Sequence, residues 1–209
     1  MSHLEVEIKF YISDIGHTRN VILQQGAEPE SSCFESNIRF DDASGTLRAG
    51  HKLLRLRQDS VCRLTVKAPP EFSSDEITDH PAGQFKIFRE YEVTVSDFQT
   101  MSDMLKQLGF YPRQIYEKHR ETFRLCHTEL CLDTLPYGHF LEIEGEGENI
   151  RHVVRLLGLD WEKRITANYL QLFENIRQHL HLPFEDVTFD NFKGVVPDTS
   201  VIRHLIETA

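Results

Sequence analysis

The sequence predicts an α+β domain: an eight-stranded antiparallel closed β-barrel with flanking helices. Three observations support this prediction. Eight short stretches alternate apolar and polar residues, which is the period of a half-buried strand. Eight is also the strand number at which a barrel closes around side chains or one small ligand. Closure would remove the exposed edges that so many strands otherwise present.

The predicted strands follow one another along the chain, separated by helices or turns. They cover residues 4–12, 36–42, 52–58, 62–68, 88–95, 116–125, 129–135 and 140–146. One long polar stretch, residues 69–85, interrupts the series and is predicted to be a loop.

Helical periodicity fills the longer connections. The first helix is expected to start at a cap on Ser13 or Asp14 and to run to about Gln25, because Gly26 follows as a stop signal. Three more helices are predicted: from a cap at Ser96 to Gly109, from Ile150 to Leu157, and from Ile165 to Leu180 with Thr166 as N-cap.

The C-terminal residues form a less regular tail. Pro183 prevents much continuation of the preceding helix, and Asp198 is expected to cap a short helix ending near Glu207. We therefore predict one domain over residues 1–182, with the tail 183–209 packed on it.

Composition excludes several classes of function. The net charge of −10 argues against a general binder of nucleic acid or anionic membrane. No apolar run approaches the ~20 residues that a bilayer span requires. The four cysteines form no CxxC pair and no export signal is visible, so a cytoplasmic protein with reduced thiols is expected. The sequence leaves open whether the chain forms a homodimer.

Like charges recur two residues apart on five predicted strands, and residues two apart point to the same face. The pairs are Glu5/Glu7, Arg55/Arg57, Glu90/Glu92, Lys118/Arg120 and Glu142/Glu144. Such neighbours, about 7 Å apart, repel, whereas a solvated face gains from mixing signs along the strand. The repetition favours a functional cluster, although acidic and basic strands of an ordinary wet sheet face could also pair with one another.

The two signs of charge suit one chemistry. Guanidinium and ammonium groups match phosphate oxygens, and carboxylates are the ligands that Mg²⁺ and Mn²⁺ prefer. Metal-assisted triphosphate chemistry requires cationic groups and carboxylates together in one enclosed polar cavity. The sequence contains no GxxxxGK[ST], so a P-loop is not expected to hold the phosphates.

These residues also resemble a known family. EVEIK (5–9) is similar to the ExExK signature of the CYTH, or triphosphate tunnel metalloenzyme, superfamily. Six further motifs follow in that family's order: LRLR (54–57), LTVK (64–67), EYE (90–92), EKHR (117–120), LD (132–133) and FLEIEG (140–145). The resemblance covers roughly residues 4–175 and looks closest to the class IV adenylyl cyclase-like branch.

The resemblance implies an eight-stranded antiparallel tunnel and a role for each matched residue. It implies triphosphate binding by Lys9, Arg55, Arg57, Lys67, Lys118 and Arg120. It implies Mg²⁺ or Mn²⁺ binding by Glu5, Glu7, Asp133, Glu142 and Glu144. Catalysis is expected from Glu5, Glu7, Lys9 and Lys67, whereas Arg63, Glu90 and Glu92 are expected to line the tunnel without an assigned role.

Several activities stay open within the resemblance. The first is a metal-dependent phosphohydrolase acting on inorganic tripolyphosphate or a nucleoside triphosphate. The alternative is a class IV adenylyl cyclase that converts ATP to cyclic AMP and pyrophosphate. Thiamine triphosphatase activity or non-catalytic polyphosphate binding comes third. Leu53 stands where mammalian thiamine triphosphatases place a tryptophan, which puts thiamine specificity in doubt.

Overall fold

Eight antiparallel strands form a ring in the computed structural model, which describes residues 2–70, 83–195 and 199–207. The strands are β1 (Ser2–Ile12), β2 (Glu28–Asp41), β3 (Leu53–Gln58), β4 (Cys62–Ala68), β5 (Lys86–Val95), β6 (Tyr111–Leu125), β7 (Thr128–Leu135) and β8 (Gly138–Glu144). Their order is β1-β5-β4-β3-β2-β6-β7-β8, and β8 pairs with β1 to close the ring. The predicted fold class is confirmed.

Strand β2 is twice as long as predicted. The prediction covered only residues 36–42, because residues 28–35 are mostly polar and include Pro29. The structure pairs this first half with β6, from Glu28 opposite Arg124 onward, and a register shift near Pro29 accommodates the proline. A partner distant in sequence therefore makes the strand.

In the described ranges, six helices and one 3₁₀ turn (Trp161–Lys163) accompany the strands. The helices are α1 (Ile15–Gln24), α2 (Thr46–Ala49), α3 (Phe98–Gln107), α4 (Gly147–Leu156), α5 (Tyr169–His179) and α6 (Thr199–Glu207). Asp14 caps α1 by accepting the N–H of His17, and Asp97, not the predicted Ser96, caps α3. Neither the short α2 nor the 3₁₀ turn was predicted.

Helix α5 starts later than the sequence suggested. The predicted start at Ile165 and cap at Thr166 are wrong, because Ile165 is extended and exchanges two backbone hydrogen bonds with Lys9, at 2.8 and 3.2 Å. Asn168 caps the helix instead, in a capping box with Gln171. The predicted cap of α6, Asp198, lies outside the described residues.

The apolar faces of the strands point outward, under the helices. On β1, Val6 and Ile8 are buried in a cluster that includes Ile22 of α1 and Val153 of α4. Helix α3 packs Leu105 against the buried Leu56 of β3. The opposite strand faces carry the charged residues, so the ring encloses a polar interior. No helix in the described ranges is long and apolar enough to cross a bilayer.

The described part of the C-terminal tail packs on the barrel. Val187 exchanges backbone hydrogen bonds with β6, donating to Ile115 at 2.8 Å and accepting from Glu117 at 2.9 Å. Phe192 and Ile202 are buried in one hydrophobic cluster with side chains of α5, β6 and β8. The tail thereby covers one side of the ring.

Candidate active site

The ring encloses a cavity of about 950 Å³ whose wall is charged. All five like-charged pairs project into it, together with Lys9 and Lys67. Carboxylates come from β8, β1 and β5, which are neighbours in the ring, and cations come mainly from β4, β3 and β6. The alternation of the strands thus gathers the two signs on different parts of one wall.

Asp133 lies behind the basic part of the wall and is fully buried. Its carboxylate accepts hydrogen bonds from Lys118 Nζ at 3.0 Å and from Arg120 Nε and Nη2 at 2.7 and 2.6 Å. The hydroxyl of Tyr169 donates a further bond of 2.8 Å. These donors occupy both oxygens, and Asp133 is not among the residues that line the cavity. In this structure Asp133 positions two cations, and its expected role as a metal ligand stays a prediction.

Glu35 is a second buried anchor, which the sequence analysis missed. It accepts a hydrogen bond from Arg57 at 3.2 Å and forms an ion pair with Lys118 at 3.6 Å. Burial opposes its ionisation, but Lys118, Arg120 and Arg57 hold the pKa of Glu35 well below its usual range. Glu35 lies in the unpredicted half of β2, so no strand pattern marked it.

A separate group of three side chains could offer ligand atoms to a metal ion. One such atom each from Cys33, Glu35 and Asp59 lies within 4.8 Å of the others. Both carboxylates are already engaged, Glu35 by Arg57 and Asp59 by Arg63 at 2.7 Å. Arg63 also pairs with Glu92 at 3.5 Å. It is not one of the cavity-lining residues, although the sequence analysis expected it there.

Arg55 is held in the wall by neutral as well as charged groups. It donates to the hydroxyls of Thr65 and Tyr116, at 3.2 and 3.4 Å, and lies 3.7 Å from Glu92. Its Nε is buried and has no hydrogen-bond acceptor in the described part of the chain. A donor without an acceptor in a polar cavity is suited to an anionic ligand.

Lysines hold the acidic part of the wall together. Lys67 pairs with Glu5 and with Glu90, the latter at 2.8 Å. Lys86, which the sequence analysis missed, pairs with Glu7 across the β1–β5 register. Burial opposes ionisation of Glu7, but Lys86 lowers its pKa to about 2.

Lys9 is the most enclosed cation of the wall, with 1% of its surface exposed. Its Nζ donates to the carbonyl of Ala167 at 3.0 Å and lies 3.4 Å from Glu142 and 4.9 Å from the ring centre of Tyr169. Burial and repulsion from Lys86 lower the pKa of Lys9. The charge is therefore fixed in position by α5 and the segment before it.

Glu144 is the least compensated carboxylate of the acidic wall. It lies opposite Glu7 in the β1–β8 register, and the imidazole of His3 lies 3.9 Å from its carboxylate. Burial and the repulsion of Glu5 raise the pKa of Glu144 to about 8. Clustered carboxylates with surplus charge are a donor set that fits a hard divalent cation.

Arg39, Arg48 and Lys52 were also missed, and they line the end of the cavity next to α5. Arg39 shares its face with Asn37 on β2 and lies opposite Arg55 of β3. Its position within NIRFDD, two residues from the polar Asn37, was the available signal. Arg48 and Lys52 lie in α2 and the turn after it, where strand alternation gives no information.

Comparison with known proteins places the fold. A family model described as CYTH domain matches residues 3–162. A protein of Methanocaldococcus jannaschii, provisionally named an adenylate cyclase, is 26% identical over 181 residues, covering 81% of this chain and 98% of that protein.

Solved structures share the architecture. A Vibrio parahaemolyticus protein, provisionally named an adenylate cyclase, superposes with a TM-score of 0.70 at 20% identity, over 83% of this chain and 99% of its own. A Hippeastrum protein, provisionally named an adenylyl cyclase and described as having a dominant triphosphatase activity, superposes with a TM-score of 0.57 at 17% identity, over 83% and 95%. Because the family model matches most of its residues, this chain belongs to the CYTH domain family.

Proposed function

We propose that this chain is a divalent-metal-dependent phosphohydrolase whose substrate is inorganic tripolyphosphate or a nucleoside triphosphate. One observation carries the proposal: a single cavity is lined by many cations and by carboxylates that are concentrated on the neighbouring strands β8, β1 and β5. A bound triphosphate needs the cations, and a metal ion beside it needs the carboxylates. The activity described for the Hippeastrum protein agrees with this reading.

The cations would hold the phosphate oxygens. We assign this role to Lys9, Arg55, Arg57, Lys67, Lys118 and Arg120, which all line the cavity. Each now pairs with a carboxylate, and phosphate oxygens would replace part of these contacts. Asp133 and Glu35 would keep Lys118, Arg120 and Arg57 aimed inward, since both anchors lie behind the wall.

The acidic wall would hold Mg²⁺ or Mn²⁺ through Glu5, Glu7, Glu142 and Glu144. When bound, such an ion neutralises phosphate charge and polarises the phosphorus–oxygen bond that breaks. Glu7 and Glu142 suit this role because they stay ionised: neighbouring lysines lower the pKa of Glu7 to about 2, and Lys9 and Arg120 hold that of Glu142 well below its usual value despite burial. Lys9 and Lys67 would orient the reacting phosphoryl group from fixed positions.

A second candidate is a class IV adenylyl cyclase, which the name given to the Methanocaldococcus jannaschii relative favours. The two activities differ in their products. Hydrolysis of ATP releases orthophosphate, whereas cyclisation releases cyclic AMP and pyrophosphate.

The test is a product-resolved assay with tripolyphosphate, ATP, GTP and thiamine triphosphate, each with Mg²⁺, with Mn²⁺ and with a chelator. We expect orthophosphate from at least one substrate, only with a divalent ion. Cyclic AMP with pyrophosphate would establish the cyclase instead. Binding of tripolyphosphate without any product would mark a non-catalytic binder and overturn the proposal.

A further inference from the structure

One end of the cavity carries cations that form no close ion pair with a carboxylate in the described part of the chain. Arg39 of β2, Arg48 of α2 and Lys52 line this end, opposite the first turns of α5. Within the described ranges, none of the three forms an ion pair. The other lysines and arginines of the wall each pair with at least one carboxylate: Lys9, Arg55, Arg57, Lys67, Lys86, Lys118 and Arg120.

The Arg39 guanidinium is half-buried in a positive environment. Its Nε is shielded from solvent and finds no acceptor in the described part of the chain. Burial and the nearby Arg48 and Arg113 lower the pKa of Arg39, and the opposing charge of Asp41 offsets only part of this effect. A half-buried cation surrounded by others is unfavourable without an anion, so this arrangement is suited to a negatively charged ligand.

The fold fixes the second cation in place. Asp41, at the end of β2, is 4% exposed and accepts the backbone N–H groups of Leu47 and Arg48, both at 3.0 Å. It also accepts the N–H of Asp42 at 2.8 Å. These bonds attach the short helix that carries Arg48 to the barrel. Asp41 offsets part of the charge of Arg39, but it is one carboxylate beside Arg39, Arg48 and Arg113.

The acid that faces this end from α5 is engaged as well. Glu174 lines the cavity, but its oxygens accept two hydrogen bonds from Arg177, both at 2.9 Å, and one from Gln178 at 2.7 Å. The α5 end of the cavity therefore keeps a surplus of positive charge.

We propose that Arg39, Arg48 and Lys52 form a second anion subsite, which binds a phosphate or equivalent anionic group beyond the triphosphate. The inference rests on the proposed function, which places the triphosphate among the cations of β3, β4 and β6. Arg39 lies directly opposite Arg55 in the β2–β3 register, so the subsite is continuous with that region. The substrate class is then a polyphosphate of four or more units, or a nucleotide with an additional phosphate.

The test compares ligands that differ by one phosphate. Isothermal titration with a chelator present measures binding of tripolyphosphate against tetrapolyphosphate, and of ATP against adenosine 5′-tetraphosphate. We expect the wild-type protein to prefer the longer member of at least one pair about tenfold, the effect of one added charge-assisted contact. The pair that shows the preference tells whether the extra group belongs to an inorganic chain or to a nucleotide.

Two variants test whether the preference for the longer ligand comes from the proposed subsite. Arg39→Gln and Arg48→Gln should each reduce that preference to about threefold or less, since each removes one of the contacts that together favour the added phosphate. Arg155→Gln, on the exposed face of α4, removes the same charge outside the cavity and should preserve it.

The exposed Arg48 keeps the test valid if the Arg39 variant does not fold. Equal affinities within both pairs in the wild-type protein, or a preference that survives in Arg48→Gln, would overturn the inference. Because binding is measured without metal, failure here is separable from a failure of turnover. A protein that binds none of the four ligands without metal would overturn the subsite, whereas the proposed function is decided by the product-resolved assay with Mg²⁺ or Mn²⁺.

Discussion

Tyr169 donates a 2.8 Å hydrogen bond from its hydroxyl to Asp133, and both residues are buried. The bond connects the first residue of α5 to β7, behind the basic wall. The ring of Tyr169 also lies 4.9 Å from Lys9 Nζ and 5.4 Å from Lys118 Nζ. Helix α5 is therefore part of the cavity wall, and its attachment supports the position of these cations.

Removing the two partners of this hydrogen bond should lower the free energy of unfolding by different amounts. Tyr169→Phe deletes one hydrogen bond and should lower the free energy of unfolding by about 1 kcal/mol. Asp133→Asn leaves Lys118 and Arg120 buried with less compensation, and should lower it by about 3 kcal/mol or more. Urea denaturation measures both, with Tyr111→Phe on the surface as the control. Equal losses in the two variants would show that Asp133 is not the anchor.

Arg57 and Glu7 should separate substrate binding from metal-dependent turnover. Arg57→Ala removes a phosphate contact and should weaken tripolyphosphate binding about tenfold, even without metal. Glu7→Gln should lower turnover at least about tenfold at limiting Mg²⁺, because a neutral amide is a poor ligand for a hard cation. Titration calorimetry and steady-state kinetics check the two effects.

The control for Arg57→Ala is Arg155→Ala, because Arg155 is exposed on α4 and is not among the residues that line the cavity. Wild-type binding in Arg57→Ala would remove Arg57 from the phosphate site. Wild-type metal dependence in Glu7→Gln would likewise remove Glu7 from the metal site.

Local alternation was sufficient to predict most of the wall. Residues two apart on a strand share a face wherever the strand lies, so Glu5 with Glu7 and Arg55 with Arg57 could be placed together before any pairing was known. The strong apolar alternation of β1 and β3 supported the same faces. Because there are eight such stretches, the sequence also predicted that the strands close into a barrel.

Residues that depend on distant partners could not be predicted in this way. Glu35 reaches the cations behind the wall only because β6 pairs with the polar first half of β2. Ile165 leaves the predicted helix because its backbone bonds to Lys9, about 150 residues earlier in the chain. Asp133 shares the predicted inward face, but only the tertiary structure shows that cations already occupy its oxygens.

The C-terminal tail should contribute to the stability of the barrel. Phe192 is 8% exposed and contacts the rings of Tyr137 and Phe173. Phe192→Ala should lower the free energy of unfolding by about 3 kcal/mol, within one cooperative transition. Leu108→Ala, at the C-cap of α3 where the residue is 71% exposed, is the control and should change little. A separate low-stability transition for the tail would show that it folds independently.

Glu144 should make the metal-free protein less stable as the pH rises. Its pKa in the folded state is about 8, above the usual value of 4.5, so folding favours the protonated form. That contribution is fully present below about pH 4.5 and is lost progressively as the pH rises through about 8. Melting temperatures measured with a chelator between pH 5 and 9 should therefore fall less in Glu144→Gln than in the wild-type protein. Glu162→Gln, at an exposed carboxylate, should follow the wild-type curve.

A divalent ion should counteract the loss of stability that the metal-free protein shows as the pH rises. An ion held by Glu5, Glu7, Glu142 and Glu144 requires Glu144 in its ionised form, so protons and metal compete for the same oxygens. Added Mg²⁺ or Mn²⁺ should therefore raise the melting temperature more at pH 8.5 than at pH 6, since ligand binding to the folded state stabilises it. In Glu144→Gln the gain should be smaller and nearly independent of pH. An equal gain at both pH values in the wild-type protein would show that Glu144, whose pKa is raised to about 8, takes no part in binding the metal.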